Sequence, residues 1–181
     1  MTGPRAPRLG VLLSGGGRTL QNLLDRIANR RLDAAIACVI ADRELAQGLQ
    51  RAADADLPHA CLRDSDAIWQ MLRDHDVDLV CLCGHLRLLP IDPEFTGRVL
   101  NIHPSLLPAH GGKGMFGNHV HAAVLASEDR ESGCTVHICD DEYDRGPVLL
   151  QRRVPVLPGD TEASLAQRVF TAECEAYPEA I

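Results

Sequence analysis

Residues 9–24, LGVLLSGGGRTLQNLL, pass from an apolar run through three glycines into a segment of different rhythm. Leu9 to Leu13 shows no polar alternation, the pattern of a strand covered on both faces. Leu20, Leu23, Leu24 and Ile27 then recur at helical spacing. A buried strand that feeds a helix through a tight glycine turn begins a parallel α/β sheet, and the chain keeps that alternation. Ala34 to Ala41 reads as a second buried strand closed by Asp42, and 45–55 and 66–75 read as helices around a short strand at 59–62. Leu79 to Cys83 and Val99 to Ile102 are two more buried strands. After residue 110 the rhythm changes. HGGKGMFGN (110–118) leads to a helix near 118–127, Cys134 to Cys139 and Pro147 to Val156 read as strands joined by an acidic turn, and a helix starts near Thr161. The expected fold is α/β: a Rossmann-like open twisted sheet, mostly parallel with an antiparallel C-terminal part, and helices on both faces. With no internal repeat or linker, residues 1–181 read as a single domain.

Composition narrows the function classes. A chain of 181 residues with 45% apolar content can bury roughly 70% of its unfolded surface as one globule. Aromatics make up only 3%, so Leu, Val, Ile and Ala must fill the core. A net charge of -7 argues against non-specific nucleic-acid binding, though a few local donors can still hold a small anion. No apolar run approaches the roughly 20 residues of a membrane span, and MTGPRAPR lacks the apolar core of a signal peptide. A cytoplasmic protein with seven reduced thiols is expected. Cys81-Leu82-Cys83 and His119-Val120-His121 could suggest metal, but the first sits on a core strand and the second pair diverges on a helix. No metal site is expected.

Three places carry polar chemistry. SGGGRTL (14–20) joins strand to helix, where glycine amides and the helix dipole favour an anion, Arg18 adds charge, and Thr19 can cap the helix or donate. It lacks the G-K-[ST] ending of a Walker loop and the third glycine of a dinucleotide fingerprint. A monophosphate site and a ligand-free glycine turn both remain open. Asn101 and His103 alternate at the end of a buried strand, so both side chains project to one face, and Pro104 stops the ladder. An amide donor beside an imidazole suits a developing oxyanion and a proton transfer; a satisfied polar pair at a strand end is the plainer alternative. Asp144 follows Asp140, Asp141 and Glu142 in what could be a solvated turn, and His137 reads as a core histidine bonded to backbone.

NIHPSLLP (101–108), SGCTVH (132–137), DDEYDRGPVLLQ (140–151) and GDTEASLAQRV (159–169), combined with SGGGRTLQ, resemble the phosphoribosylglycinamide formyltransferase family, a branch of the formyltransferase superfamily. The resemblance covers nearly the whole chain. It implies transfer of a formyl group from 10-formyltetrahydrofolate to the amine of glycinamide ribonucleotide in purine synthesis. It also implies two small-molecule substrates, no nucleic-acid or membrane partner, and a monomer or homodimer. Within one formyltransferase domain, 1–100 would be a phosphate-binding βαβ half and 101–181 a catalytic half. Matched by position, the catalytic residues are Asn101, His103 and Asp144; the phosphate loop is Gly16, Gly17, Arg18 and Thr19; and Glu173 holds the substrate amine. The folate segment is Leu86, Arg87, Leu88 and Leu89, with Asp140, Asp141, Glu142 and Tyr143 opposite. The chain departs from the family pattern at Arg18-Thr19, where many relatives have Ser-Asn, and at 62–68, where Arg63 is a rough stand-in for a folate-binding arginine. A formyltetrahydrofolate deformylase and an inactive nucleotide-binding module on the same fold are the competing readings.

Overall fold

The apolar runs and helical repeats condense, in a computed structural model that describes residues 5–181, into the α/β architecture that the sequence predicts. Residues 1–4, which begin the MTGPRAPR segment and its expected lack of a signal peptide, lie outside the described residues. The chain divides after Leu100 into two compact units.

The first unit alternates β1 (Arg8–Leu13), α1 (Arg18–Ala28), β2 (Ala35–Ala41), α2 (Gln47–Asp54), β3 (His59–Cys61), α3 (Ser65–Asp74) and β4 (Leu79–Leu82). Its strands lie in the order β3-β2-β1-β4, and β1 pairs parallel with both β2 and β4. The chain therefore steps one way from β1 to β3, then crosses back to β4. Right-handed crossovers put α1 and α2 on one face and α3 on the other. The reversal falls between β1 and β4, the position in such sheets where ligands bind beyond the carboxyl ends of the strands. Leu9, Val11, Leu12 and Leu13 of β1 are fully buried, as are Leu20 and Leu23 of α1. Burial of each such side chain contributes roughly 1.5–3 kcal/mol. The single tryptophan, Trp69, stacks on buried Phe95 with 5.0 Å between ring centroids and donates its indole N–H to the carbonyl of Pro90.

β5 (Val99–His103) leads into the second unit, which holds α4 (Asn118–Ala126), β6 (Glu131–Ile138), β7 (Val148–Pro155) and α5 (Glu162–Ala180). β6 and β7 are antiparallel, with Thr135 opposite Gln151. α5 packs on both strands and on α4. A reciprocal cap between Thr161 and Ser164 starts α5, and Arg168 grips Asp160 through two bonds of 2.7 and 2.9 Å just before it.

Two local readings shift and one short element is new. The helix expected over 45–55 begins at Gln47, leaving Leu45 96% exposed, because Ala46 takes the extended backbone of the N-cap. Asp92 caps a 3-10 turn at Pro93–Phe95 that has no apolar periodicity to announce it. β6 begins at Glu131, three residues before the expected Cys134, since Ser132 and Gly133 pair in the ladder despite their turn-like character.

Gly10 shows how closely α3 approaches β1. A Cβ there would lie 2.3 Å from Leu72 Cδ2, so the missing side chain is the socket for Leu72. Leu72→Ala should cost about 2–5 kcal/mol in urea unfolding, and Gly10→Ala should cost less in that background than in the parent. Equal costs in both backgrounds would refute the socket.

Candidate active site

At the carboxyl end of β1 the glycine loop is bound into its surroundings. Ser14 is 2% exposed; its amide donates to the carbonyl of Gly84 at 3.0 Å and its hydroxyl accepts from the amide of Leu86 at 2.9 Å. The loops after β1 and β4 are thereby joined at the sheet's reversal point. Gly17 adopts φ 68°, and a Cβ on it would lie 2.7 Å from Gly48 Cα, so both backbone sign and space require glycine. Gly17 is itself the N-cap of α1, and no side chain caps that helix. Thr19, expected as a possible cap, instead lies inside the first turn, because the left-handed glycine starts the helix two residues earlier. Gly16 and Arg18 are exposed. In the neighbouring segment Arg87 and Leu88 are exposed while Leu89 is buried. Arg63 donates through Nε to the carbonyl of Asp42 at 2.8 Å, bracing the end of β2.

In the second unit, the side chains of Asn101 and His103 meet on one carboxylate. Asn101 Nδ2 lies 3.3 Å from Asp144 Oδ1, and His103 Nδ1 lies 3.5 Å from Asp144 Oδ2. Asp144 Oδ2 also accepts from the amide of Gly112 at 2.9 Å. Its side chain is 10% exposed, so it is no solvated member of the acidic turn. Its backbone is left-handed at φ 57°, a conformation that stores strain where the surroundings over-determine it. The carbonyl of His110, also left-handed at φ 54°, lies 2.9 Å from His103 Nε2. The three residues 110–112 thus contact both the histidine and the aspartate. Thr135 anchors the preceding loop, donating to the carbonyl of Ser105 at 2.7 Å and accepting from the amide of Leu107 at 3.0 Å.

His137 joins this group in a way the sequence reading missed. It is buried, and Nδ1 faces the carbonyl of Ile138 at 3.2 Å, as a core histidine would. Nε2, however, lies 3.0 Å from Asn101 Nδ2 and 3.6 Å from Asp144 Oδ1. The signal was its facing opposite to Val136 and Ile138, one residue from the end of a strand. The Asn101 amide nitrogen therefore contacts both His137 and Asp144.

Electrostatics set the resting proton state. Burial pushes the His103 imidazole below its ordinary 6.5, outweighing the upward pull of Asp144 and of the His110 carbonyl. Asp144 on its own favours the imidazolium, but desolvation decides the net direction. Burial also pushes the Asp144 carboxyl up, yet His137, His103 and the Gly112 amide together bring it below the usual carboxylate range. At neutral pH the pair is a carboxylate facing a neutral imidazole whose two nitrogens both look toward oxygen acceptors. Such a ring is built to accept a proton transiently.

The other sequence-selected residues occupy separate settings. Asp140, Asp141 and Glu142 are exposed, with Asp140 Oδ1 accepting from the amide of Glu142 at 2.9 Å, and Tyr143 is half-buried beside them. Cys139, next to this turn, is pushed up to about 12 by burial and then by Asp144 and Asp140. Glu173 is half-buried on α5; burial, and after it the Glu173 charge, pushes the Cys134 thiol of β6 up to about 12. His119 meets Phe116 edge-on at 5.4 Å while His121 is buried, so the pair does not converge. Among the described residues no group of three His, Cys, Asp or Glu side chains is arranged to hold a metal ion, and no helix is long and apolar enough to cross a membrane.

Replacing Asp144 by asparagine removes the upward pull on His103 while burial remains. The histidine pKa should fall further below 6.5, as read by NMR titration, and turnover should drop at least tenfold. Asp140→Asn and Asp141→Asn serve as turn controls. An unmoved His103 titration in Asp144→Asn would remove the aspartate from the group.

The formyl transferase family matches residues 7–181. The chain is 36% identical over 184 residues to the phosphoribosylglycinamide formyltransferase of Haemophilus influenzae, which covers 94% of this chain and 84% of that one. It is 39% identical over 194 residues to the trifunctional purine biosynthetic protein adenosine-3 of Drosophila melanogaster; all of this chain is matched, but it spans 14% of that protein's length. The solved structure of glycinamide ribonucleotide transformylase 1 from Symbiobacterium toebii matches with a TM-score of 0.88 at 39% identity, covering 97% of this chain and 86% of that chain. A family match along almost every described residue, including the strand-end amide and imidazole that share one buried carboxylate, makes this chain a member of the formyl transferase family.

Proposed function

We propose that the chain is an enzyme transferring the formyl group of 10-formyltetrahydrofolate to the amine of glycinamide ribonucleotide, in de novo purine biosynthesis. The observation that carries the reading is the convergence of Asn101, His103 and His137 on Asp144. In this reading the amine attacks the formyl carbon directly and forms a tetrahedral intermediate. Asn101 turns one amide hydrogen to the new oxyanion, the longer bond to Asp144 at 3.3 Å being the one that gives way. His103 receives a proton as the attacking amine becomes acidic, Asp144 stabilises the resulting imidazolium, and the proton passes to the leaving folate nitrogen. No covalent enzyme intermediate is required. The phosphate would lie on Gly16, Gly17, Arg18 and Thr19, and Glu173 would hold the amine. Leu86, Arg87, Leu88 and Leu89, together with Asp140, Asp141, Glu142 and Tyr143, would contact the folate. Both substrates are small, and a cytoplasmic monomer or homodimer would suffice.

The test is consumption of 10-formyltetrahydrofolate with and without glycinamide ribonucleotide. Consumption should depend on the acceptor and yield formylated ribonucleotide in equal amount. Consumption without acceptor would establish a deformylase, and no consumption would establish a binding module. Asn101→Ala and His103→Ala should each lower kcat at least a hundredfold without loss of the cooperative thermal melt, since one oxyanion donor contributes about 2.7–4 kcal/mol. Near-parental turnover in either would exclude the role assigned to it.

A further inference from the structure

We infer that Arg51 is a positioning residue for the acceptor's phosphate, acting through the orientation of the glycine loop; the inference rests on the reading of residues 16–19 as the phosphate site. Arg51 lies on α2, 35 positions from the loop in sequence, yet its Nε donates to the carbonyl of Gly16 at 2.8 Å. Its Nη1 donates to Gln21 Oε1 on α1 at 2.9 Å. One residue earlier in the loop, the carbonyl of Gly15 accepts from the amide of Gly48 at 3.0 Å. Two consecutive loop carbonyls are therefore fixed toward α2.

Peptide planarity carries that orientation over to the neighbouring amides. In a trans peptide the carbonyl and the next residue's N–H point in opposite directions. Fixing the carbonyls of Gly15 and Gly16 toward α2 turns the amides of Gly16 and Gly17 away from it, side by side. Successive N–H groups so aligned form an anion-binding concavity, here at the uncapped start of α1. The packing between the loop and α2 is close. A Cβ on Gly17 would fall 2.7 Å from Gly48 Cα and 3.2 Å from Arg51 Cδ, and one on Gly48 would fall 2.4 Å from Leu13 Cδ2. Arginine suits the post because one planar guanidinium reaches a loop carbonyl and a side-chain amide oxygen at once, which an ammonium cannot do in that geometry.

The test compares the parent with Arg51→Ala and Arg51→Lys, using glycinamide ribonucleotide and its dephosphorylated riboside as acceptors, with thermal melts to check folding. Arg51→Ala should raise KM for the ribonucleotide at least tenfold, move KM for 10-formyltetrahydrofolate less than twofold and kcat less than threefold. It should leave kcat/KM for the riboside within twofold of the parent. Arg51→Lys, which keeps the charge without the fork, should stay at least fivefold above the parental KM, and it alone carries the comparison if the alanine variant does not fold. An equal loss with both acceptors, an unchanged KM for the ribonucleotide, or full recovery in Arg51→Lys would overturn the inference. If the parent transfers no formyl group, the functional reading falls, and calorimetric titration with glycinamide ribonucleotide decides the matter. Binding at least tenfold weaker in the variant supports the role of Arg51, while equal or undetectable binding in both overturns it.

Discussion

A carboxylate taken out of water must find partners for its oxygens, and Asp144, with a side chain only 10% exposed, draws them from three parts of the second unit. The amide of Gly112 comes from the loop before α4, His103 and Asn101 from the end of β5, and His137 from the end of β6. The loop that carries the aspartate bends through a left-handed residue to present it. A Cβ on Gly111 beneath this arrangement would lie 2.4 Å from Leu107 Cδ2 and 3.3 Å from Asp144 Cβ, so a larger residue there has to displace Leu107. The same short segment presents the His110 carbonyl to His103, so a displacement that loosens the carboxylate also releases the imidazole. The charge balance, the ring orientation and the loop path are one constraint seen from three sides.

Much of the fold was legible in the sequence because its signals are local. The unbroken apolar runs of β1, β2 and β4 can only be strands covered on both faces, and the helical spacing of Leu20, Leu23 and Ile27 leaves little choice for α1. What escaped depends on contacts distant in sequence. Leu45 belongs to an apolar pattern yet lies outside the helix, because capping geometry rather than hydrophobicity sets where α2 begins. Ser132 and Gly133 pair in β6 through the register with β7, which no window of neighbouring residues contains.

The cluster divides in the same way. Period-two alternation alone put Asn101 and His103 on one face, and both do reach the same carboxylate. Asp144 looked like its three acidic neighbours, for burial of a loop residue follows from what folds over it. His137 was misjudged because one of its nitrogens behaves as a core histidine should, while the other faces Asn101. The net direction of the His103 pKa was equally hidden. Proximity to a carboxylate can be inferred from motifs, whereas the degree of desolvation that outweighs it exists only in the packed molecule.

Cys139, adjoining the acidic turn, has a redox consequence. A thiol pushed up to about 12 holds only about one molecule in ten thousand as thiolate even at pH 8. Thiolate is the form that peroxide and electrophiles attack, so the residue at the base of the Asp144 loop resists the first rung of the oxidation ladder. The negative charges of Asp144 and Asp140 add to burial in keeping it protonated. Burial is the larger of the two influences, so the thiol stays protonated even where the acidic loop loses one charge.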